Sequence, residues 1–167
     1  IVFIYTMYIP SGIIPLQLAL EQNGYKNQTG ENILRYPEWN KASNDHKTKR
    51  EPIDFNGLRR SDISDTFKQA KYMVIDGSTP ANILRQQLDI VNSKSNMNGE
   101  KIKVILGTVV ASEGLDFKRI RSVHILDPWA HLNRIEQTIG RAIRFCSHSD
   151  LPNKQRNVLT YLHTSTL

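Results

Sequence analysis

The sequence predicts an α/β fold, a mostly parallel sheet with helices on both faces. Three observations predict it. Short apolar runs rich in β-branched residues recur along the chain, at Ile1–Tyr5, Tyr72–Ile75, Ile102–Leu106 and Val123–Leu126, with a weaker one at Val158–Leu162. Runs so evenly apolar suit strands covered on both faces, as in parallel sheets. Helical patterns lie between them, and alternation of this kind favours a layered sheet with crossover helices. Finally, 167 residues suffice for a single core.

The elements follow in order. Ile1–Tyr5 opens the chain as a buried strand, and a first residue already inside a strand pattern leads us to expect a piece of a longer protein. Pro15–Asn23 carries Leu16, Leu18, Ala19 and Leu20 and stops at Gly24, a residue that tolerates positive φ at a helix end. A second helix is expected to start near Thr79–Pro80, with Thr79 as cap and Pro80 in the first turn, burying Ile83, Leu84, Leu88 and Val91. A third runs from about His131 to Phe145, with Leu132, Ile135, Ile139 and Ala142 on its apolar side.

Residues 26–70 break this rhythm. They are polar and charged, include Pro37, Trp39, HKTKR at 46–50 and Pro52, and read as a solvated insertion between the first helix and the second apolar run. Trp39 among basic neighbours is able to stack on a base. NSKSNMNGE at 92–100 reads as a loop.

Composition narrows the function classes. No apolar run approaches the ~20 residues that cross a bilayer, and IVFIYTMYIP lacks the basic leader and cleavage pattern of a signal peptide. The single Cys146 excludes an intrachain disulfide and a zinc site of paired cysteines, which fits cytosol or nucleus. The net charge is +6 and favours an anionic partner such as nucleic acid. Ten Lys or Arg against seven Asp or Glu lie in 26–71 and ten against five in 101–167, so the basic excess belongs to the middle and the C-terminal part.

Two stretches carry chemistry. GTVVASEGLDF at 107–117 follows an apolar run, so its loop belongs at the carboxyl edge of the sheet, where open α/β sheets bind ligands. Thr108 and Ser112 offer hydroxyls for a phosphate, Gly114 permits close approach, and Asp116 can accept from a ribose hydroxyl or order an arginine. In the third helix Arg134, Gln137, Arg141 and Arg144 are spaced three, four and three apart and share a face. Such a stripe repels itself unless an anion is present, and arginine's planar fork matches phosphate oxygens. Gly140, costing ~1 kcal/mol within a helix, would be explained by close approach of a ligand or of neighbouring backbone. Cys146 and His148 are too few for a metal site and read as a buried thiol beside a surface histidine.

GTVVASEGLDF and QTIGRAIR resemble motifs V and VI of superfamily two helicases and translocases, in the right order and separation. IVFIYTMYIPSG resembles motif IV, and IDGSTPANILRQQL is similar to the strand, Gly and Arg-bearing helix that follow it, here with Gly77 and Arg85. ILDPWAHLNRIEQTIGRAIRFCSH further resembles the Swi2/Snf2-like branch. It also resembles the helicases of large cytoplasmic DNA viruses and linear plasmids, including the poxvirus nucleoside triphosphatase and early transcription factor group.

The resemblance implies that residues 1–167 are the second of two RecA-like domains, a helicase C-terminal domain interrupted at about 26–70. It implies Arg141 and Arg144 as catalytic arginine fingers, with Gly114, Asp116, Gln137 and Gly140 beside the nucleotide. Gly77, Ser78 and Thr108 are implied as nucleic-acid backbone contacts. ATP and Mg²⁺ are implied as cofactors and DNA or RNA as partner. The expected location is the cytoplasm, a viral factory or the virion, or the nucleus. The sequence departs from the pattern in lacking a GxxxxGK[ST] loop and an Asp-Glu pair after a strand, so the phosphate cradle and magnesium carboxylate are expected on an N-terminal RecA-like domain of the same polypeptide. No metal is assigned to this chain. The rival reading is a non-enzymatic nucleic-acid-binding subunit of a transcription complex that keeps this lobe as a scaffold.

Overall fold

The structure, a computed structural model, describes residues 1–35, 50–63, 66–112, 114–128 and 132–164. Among the described residues six strands form one sheet in the order β2-β3-β4-β1-β5-β6, and every strand pairing in it is parallel. They are β1 (Val2–Tyr5), β2 (Lys26–Asn27), β3 (Lys71–Ile75), β4 (Val104–Gly107), β5 (Ser122–Ile125) and β6 (Leu159–Leu162). Among the described residues the α-helices are α1 (Ile14–Gln22), α2 (Ala81–Asn92) and α3 (Leu132–Ala142). This is the layered α/β architecture that the apolar runs and helical patterns predict.

Strand alternation divides the core into two layers. On one face Phe3, Tyr5, Met73, Ile75, Ile105, Val123 and Ile125 meet Leu84, Leu88 and Val91 of α2 and Ile135 and Ile139 of α3. On the other, Tyr72, Val104 and Leu106 meet Ile13, Leu16 and Leu20, carried by α1 and the turn before it. That turn, Ile9–Ile13, is wider than an α-turn, with the Ile13 N–H reaching back five residues to the Tyr8 carbonyl at 3.0 Å. Burial on both faces does not extend across the whole sheet. β3 and β4 are covered on both sides, β1 and β5 alternate between buried and half-buried, and β6 is exposed throughout.

Several local expectations change. Gly24 ends the first helix at φ +85° as expected, but Thr79 does not cap α2. Pro80 holds the cap position, and the Thr79 hydroxyl instead accepts from the Asp76 N–H at 3.2 Å, which closes the preceding turn. The 26–70 stretch begins as an edge strand rather than a loop, because β2 pairs with β3. A buried turn follows at Asp54, whose carboxylate accepts from the N–H groups of Asn56 and Leu58, both at 2.8 Å. Trp39 and the segment 46–49 lie outside the described residues. The third helix is shorter than the pattern predicts: α3 ends at Ala142, so Arg144 follows it instead of completing a helical stripe. The chain turns there because the Ser147 N–H bonds the Arg144 carbonyl at 3.0 Å and Cys146 takes φ +62°. That conformation turns the thiol outward, so Cys146 is exposed and His148 is the buried member of the pair, the reverse of the expectation. His148 is accommodated because both ring nitrogens have partners, Ser147 Oγ at 2.8 Å and the Ile120 carbonyl at 2.6 Å.

Candidate functional site

Because all strands run the same way, the segments that follow them collect at one edge of the sheet. After β1, Thr6 is fully buried and donates its hydroxyl to Asp127 beyond β5 at 2.5 Å. The Met7 N–H reaches the same carboxylate oxygen at 3.1 Å, so the loops after neighbouring strands are fastened together. After β3, Asp76 organises the turn that carries Gly77 and Ser78. Its Oδ1 accepts from the Ser78 N–H at 2.9 Å and the Ser78 hydroxyl at 2.7 Å. Gly77 and Ser78 are both exposed. After β4, the Thr108 N–H bonds the Ile75 carbonyl at 3.0 Å, which sets Thr108 beside the Asp76 turn; Thr108 itself keeps 6% of its surface.

The chain then makes a short helical turn at Val109–Ser112, packed on α3, and passes through Gly114 at φ +70°. An L-residue enters that region at a cost of ~1–2 kcal/mol, which is the local reason for a glycine. Phe117 anchors the loop by burying its ring against Phe3, with centroids 5.3 Å apart. Asp116, one residue earlier, points outward and meets Arg144 Nη1 at 3.5 Å, both side chains about half exposed. This pair joins the two sequence stretches predicted to act together. Exposed as it is, it contributes little to folding and leaves the guanidinium open to exchange its carboxylate for another anion.

Gln137 and Gly140 lie on the exposed side of α3. Among the described residues, a Cβ built on Gly140 meets nothing within 4 Å, so no described backbone selects glycine there. Arg134 and Arg141 belong to α3 by their backbone, and their side chains lie outside the described set, as does that of Ser112. The structure therefore brings Asp116 and Arg144 into contact, and sets Gly77, Ser78 and Thr108 beside one another at the ends of β3 and β4.

Sequence reasoning missed the groups that hold these loops. Asn92, at the end of α2, donates to the Asp116 carbonyl at 2.8 Å and accepts from the Lys118 N–H at 2.8 Å. Arg119 is 3% exposed and binds Asp150 through Nε at 2.8 Å and Nη2 at 2.5 Å. That bond holds the Asp150 carboxyl below its usual pKa range. Thr6 and Asp127 were missed likewise; each pairs with a partner some 120 positions away, which no local pattern reveals.

Comparison with known proteins identifies the family and the fold. The family model described as helicase conserved C-terminal domain matches residues 33–146. An ATP-dependent RNA helicase by name, R563 of Acanthamoeba polyphaga mimivirus, is 47% identical over 74 residues, which is 44% of this chain and 13% of that protein. The early transcription factor large subunit homolog of African swine fever virus (isolate Pig/Kenya/KEN-50/1950) is 28% identical over 158 residues, 93% of this chain and again 13% of the relative. The C-terminal part of the Fun30 ATPase domain superposes with a TM-score of 0.53 over 96% of this chain and 34% of its own, at 16% identity, a likeness of fold. The fold is RecA-like, and with more than half its length matched, the chain belongs to the helicase conserved C-terminal domain family.

Proposed function

We propose that residues 1–167 act as the C-terminal lobe of an ATP-dependent helicase or translocase, supplying arginine fingers to a nucleotide held mainly by an N-terminal RecA-like domain. The carrying observation is the Asp116–Arg144 contact at the sheet's carboxyl edge, a guanidinium held at 3.5 Å by an exposed, exchangeable carboxylate. Arg141 and Arg144 neutralise charge on the γ-phosphoryl group as it transfers, and Gly114, Asp116, Gln137 and Gly140 border the nucleotide. A positioned arginine of this kind is worth ~10³ to 10⁵ in rate. ATP fits here as one half of a composite site. Mg²⁺ we assign to the partner lobe, with the phosphate cradle and the magnesium carboxylate expected there.

Gly77, Ser78 and Thr108 contact the nucleic-acid backbone, Gly77 and Ser78 through the exposed Asp76 turn and Thr108 through the loop beside it. DNA and RNA both present the phosphates this requires. The cytoplasm, viral factories or virions are the places of action we favour, since the relatives named above are viral proteins. No helix among the described residues is long and apolar enough to cross a membrane. The rival, a non-enzymatic scaffold in a transcription complex, draws on the African swine fever virus relative, named as a transcription factor subunit.

Nucleic-acid-stimulated ATP hydrolysis and strand displacement by the full-length protein, on DNA and RNA duplexes, separate the two. Stimulated turnover is expected. Binding without any ATP turnover would establish the scaffold reading.

A further inference from the structure

Arg119 lies outside every motif, yet its surroundings are unlike those of any other described arginine. Its backbone is left-handed, at φ +61°, a conformation that non-glycine residues keep only when the surroundings impose it. Its guanidinium is buried and reaches two separate segments. Nη1 donates to the carbonyls of Asn92 at 3.1 Å and Ser93 at 3.0 Å, at the end of α2 where a cation complements the helix dipole. Nε and Nη2 grip Asp150, beyond Arg144. Its own N–H binds the Ser147 carbonyl at 3.0 Å. Around it, Asn92 clasps the backbone on either side of Phe117, and His148 ties the same turn to the Ile120 carbonyl.

The segments joined in this way are those that bear the proposed site. α2 begins just after the Gly77–Ser78 turn, the clasped loop carries Asp116, and the Ser147–Asp150 turn follows directly from Arg144, whose carbonyl accepts from the Ser147 N–H. We infer that Arg119, with Asn92 and Asp150, is a positioning residue that fixes Arg144 against the Asp116 loop and links both to the nucleic-acid side through α2. The inference rests on the arginine-finger reading above and adds to it residues that touch neither nucleotide nor nucleic acid. Lysine cannot replace Arg119, because one ammonium cannot meet two helix-end carbonyls and a carboxylate in the fixed directions of a guanidinium.

The test uses the full-length protein with Arg119→Lys and, as a milder change at a more exposed position, Asn92→Ala. Nucleic-acid-stimulated kcat is expected to fall ~10-fold or more in each while KM for ATP moves less than ~3-fold, as befits a loss felt in the transition state. The doubles Arg119→Lys/Arg144→Ala and Asn92→Ala/Arg144→Ala are expected to be no slower than Arg144→Ala alone, since residues acting through one group are not additive. A purely structural role predicts something else: turnover falling only in step with the folded fraction seen by thermal melts, and additive doubles. Either result would overturn the inference. If Arg144→Ala itself keeps full turnover, the arginine-finger reading fails; if Arg144→Ala is slow and both single variants are not, only the positioning role fails.

Discussion

At Gly12 the fold turns on a missing side chain. A Cβ built there lies 2.1 Å from Thr6 Oγ1 and 2.8 Å from its methyl, and Thr6 is fully buried with its hydroxyl committed to Asp127. Gly12→Ala therefore displaces the bond that joins the loops after β1 and β5. The expected cost of such overpacking is ~1–3 kcal/mol. A thermal melt of the variant is expected to show a fall of about 2–12 °C at this chain length, and an unchanged melting temperature would mean that Thr6 can move freely. Arg119 gives the complementary case. Arg119→Ala loses the guanidinium and keeps the strained backbone, whereas Arg119→Gly loses the same bonds and relieves the strain. The glycine variant is expected to be the more stable of the two, by up to about 1 kcal/mol, measurable in paired urea titrations.

Among the elements, β5 and β6 form the least covered part of the sheet and carry a small aromatic stack. The rings of His124 and Tyr161 stack at 4.7 Å, His124 Nδ1 meets His163 Nε2 at 3.0 Å, and Ser122 Oγ meets His124 Nε2 at 2.9 Å. Burial first, and the neighbouring His163 second, hold the His124 imidazole below its ordinary pKa. The unfolded chain therefore takes up a proton more readily than the folded one. Stability is full above the unfolded value near 6.5 and declines as pH falls through it towards the lower folded value. Melting temperature is expected to drop from pH 7.5 to pH 5.5, and to drop less in His163→Gln, where the second imidazole is gone. Equal drops in both proteins would remove the pair from the explanation.

The same elements show what a sequence carries and what it hides. Apolar runs and the Gly24 stop were legible because burial and backbone conformation act on residues within one turn or strand. The exposure of β6 was not, since it depends on where helices pack, and neither was the end of α3, which is set by the Ser147 bond to Arg144. GTVVASEGLDF pointed to its loop because a glycine and an acid after a strand have a local meaning. Arg119, Asn92 and Asp150 had none until folding brought positions 92, 119 and 150 together. The Cys146–His148 reversal has the same origin: a left-handed residue in a turn decides which neighbour faces the core.

For the whole molecule, the proposal makes this chain half of a site. Purified residues 1–167 are expected to show no ATPase activity above background, with or without nucleic acid, because the chain holds arginines without a phosphate cradle. Nucleic-acid-stimulated turnover by this chain alone would contradict that. Its binding to nucleic acid is expected to be weak, tolerant of sequence and steeply salt-dependent, with log affinity falling by ~0.7–0.9 per phosphate contact for each tenfold rise in salt. Fluorescence anisotropy across a salt series measures the slope, and a flat response would argue against backbone contacts.

The most direct test of the central claim is the turnover of the full-length protein carrying Arg144→Ala, measured beside its ATP affinity. A group that acts on the transferring phosphoryl lowers kcat by orders of magnitude when removed and leaves ground-state binding nearly unchanged. Arg141→Ala is expected to behave alike, lysine at either position is not expected to restore activity, and Arg134→Ala, outside the matched motif, is expected to be far better tolerated. If all three alanine variants lose activity equally, with melting temperatures lowered in step, the arginines serve the fold and the claim is wrong.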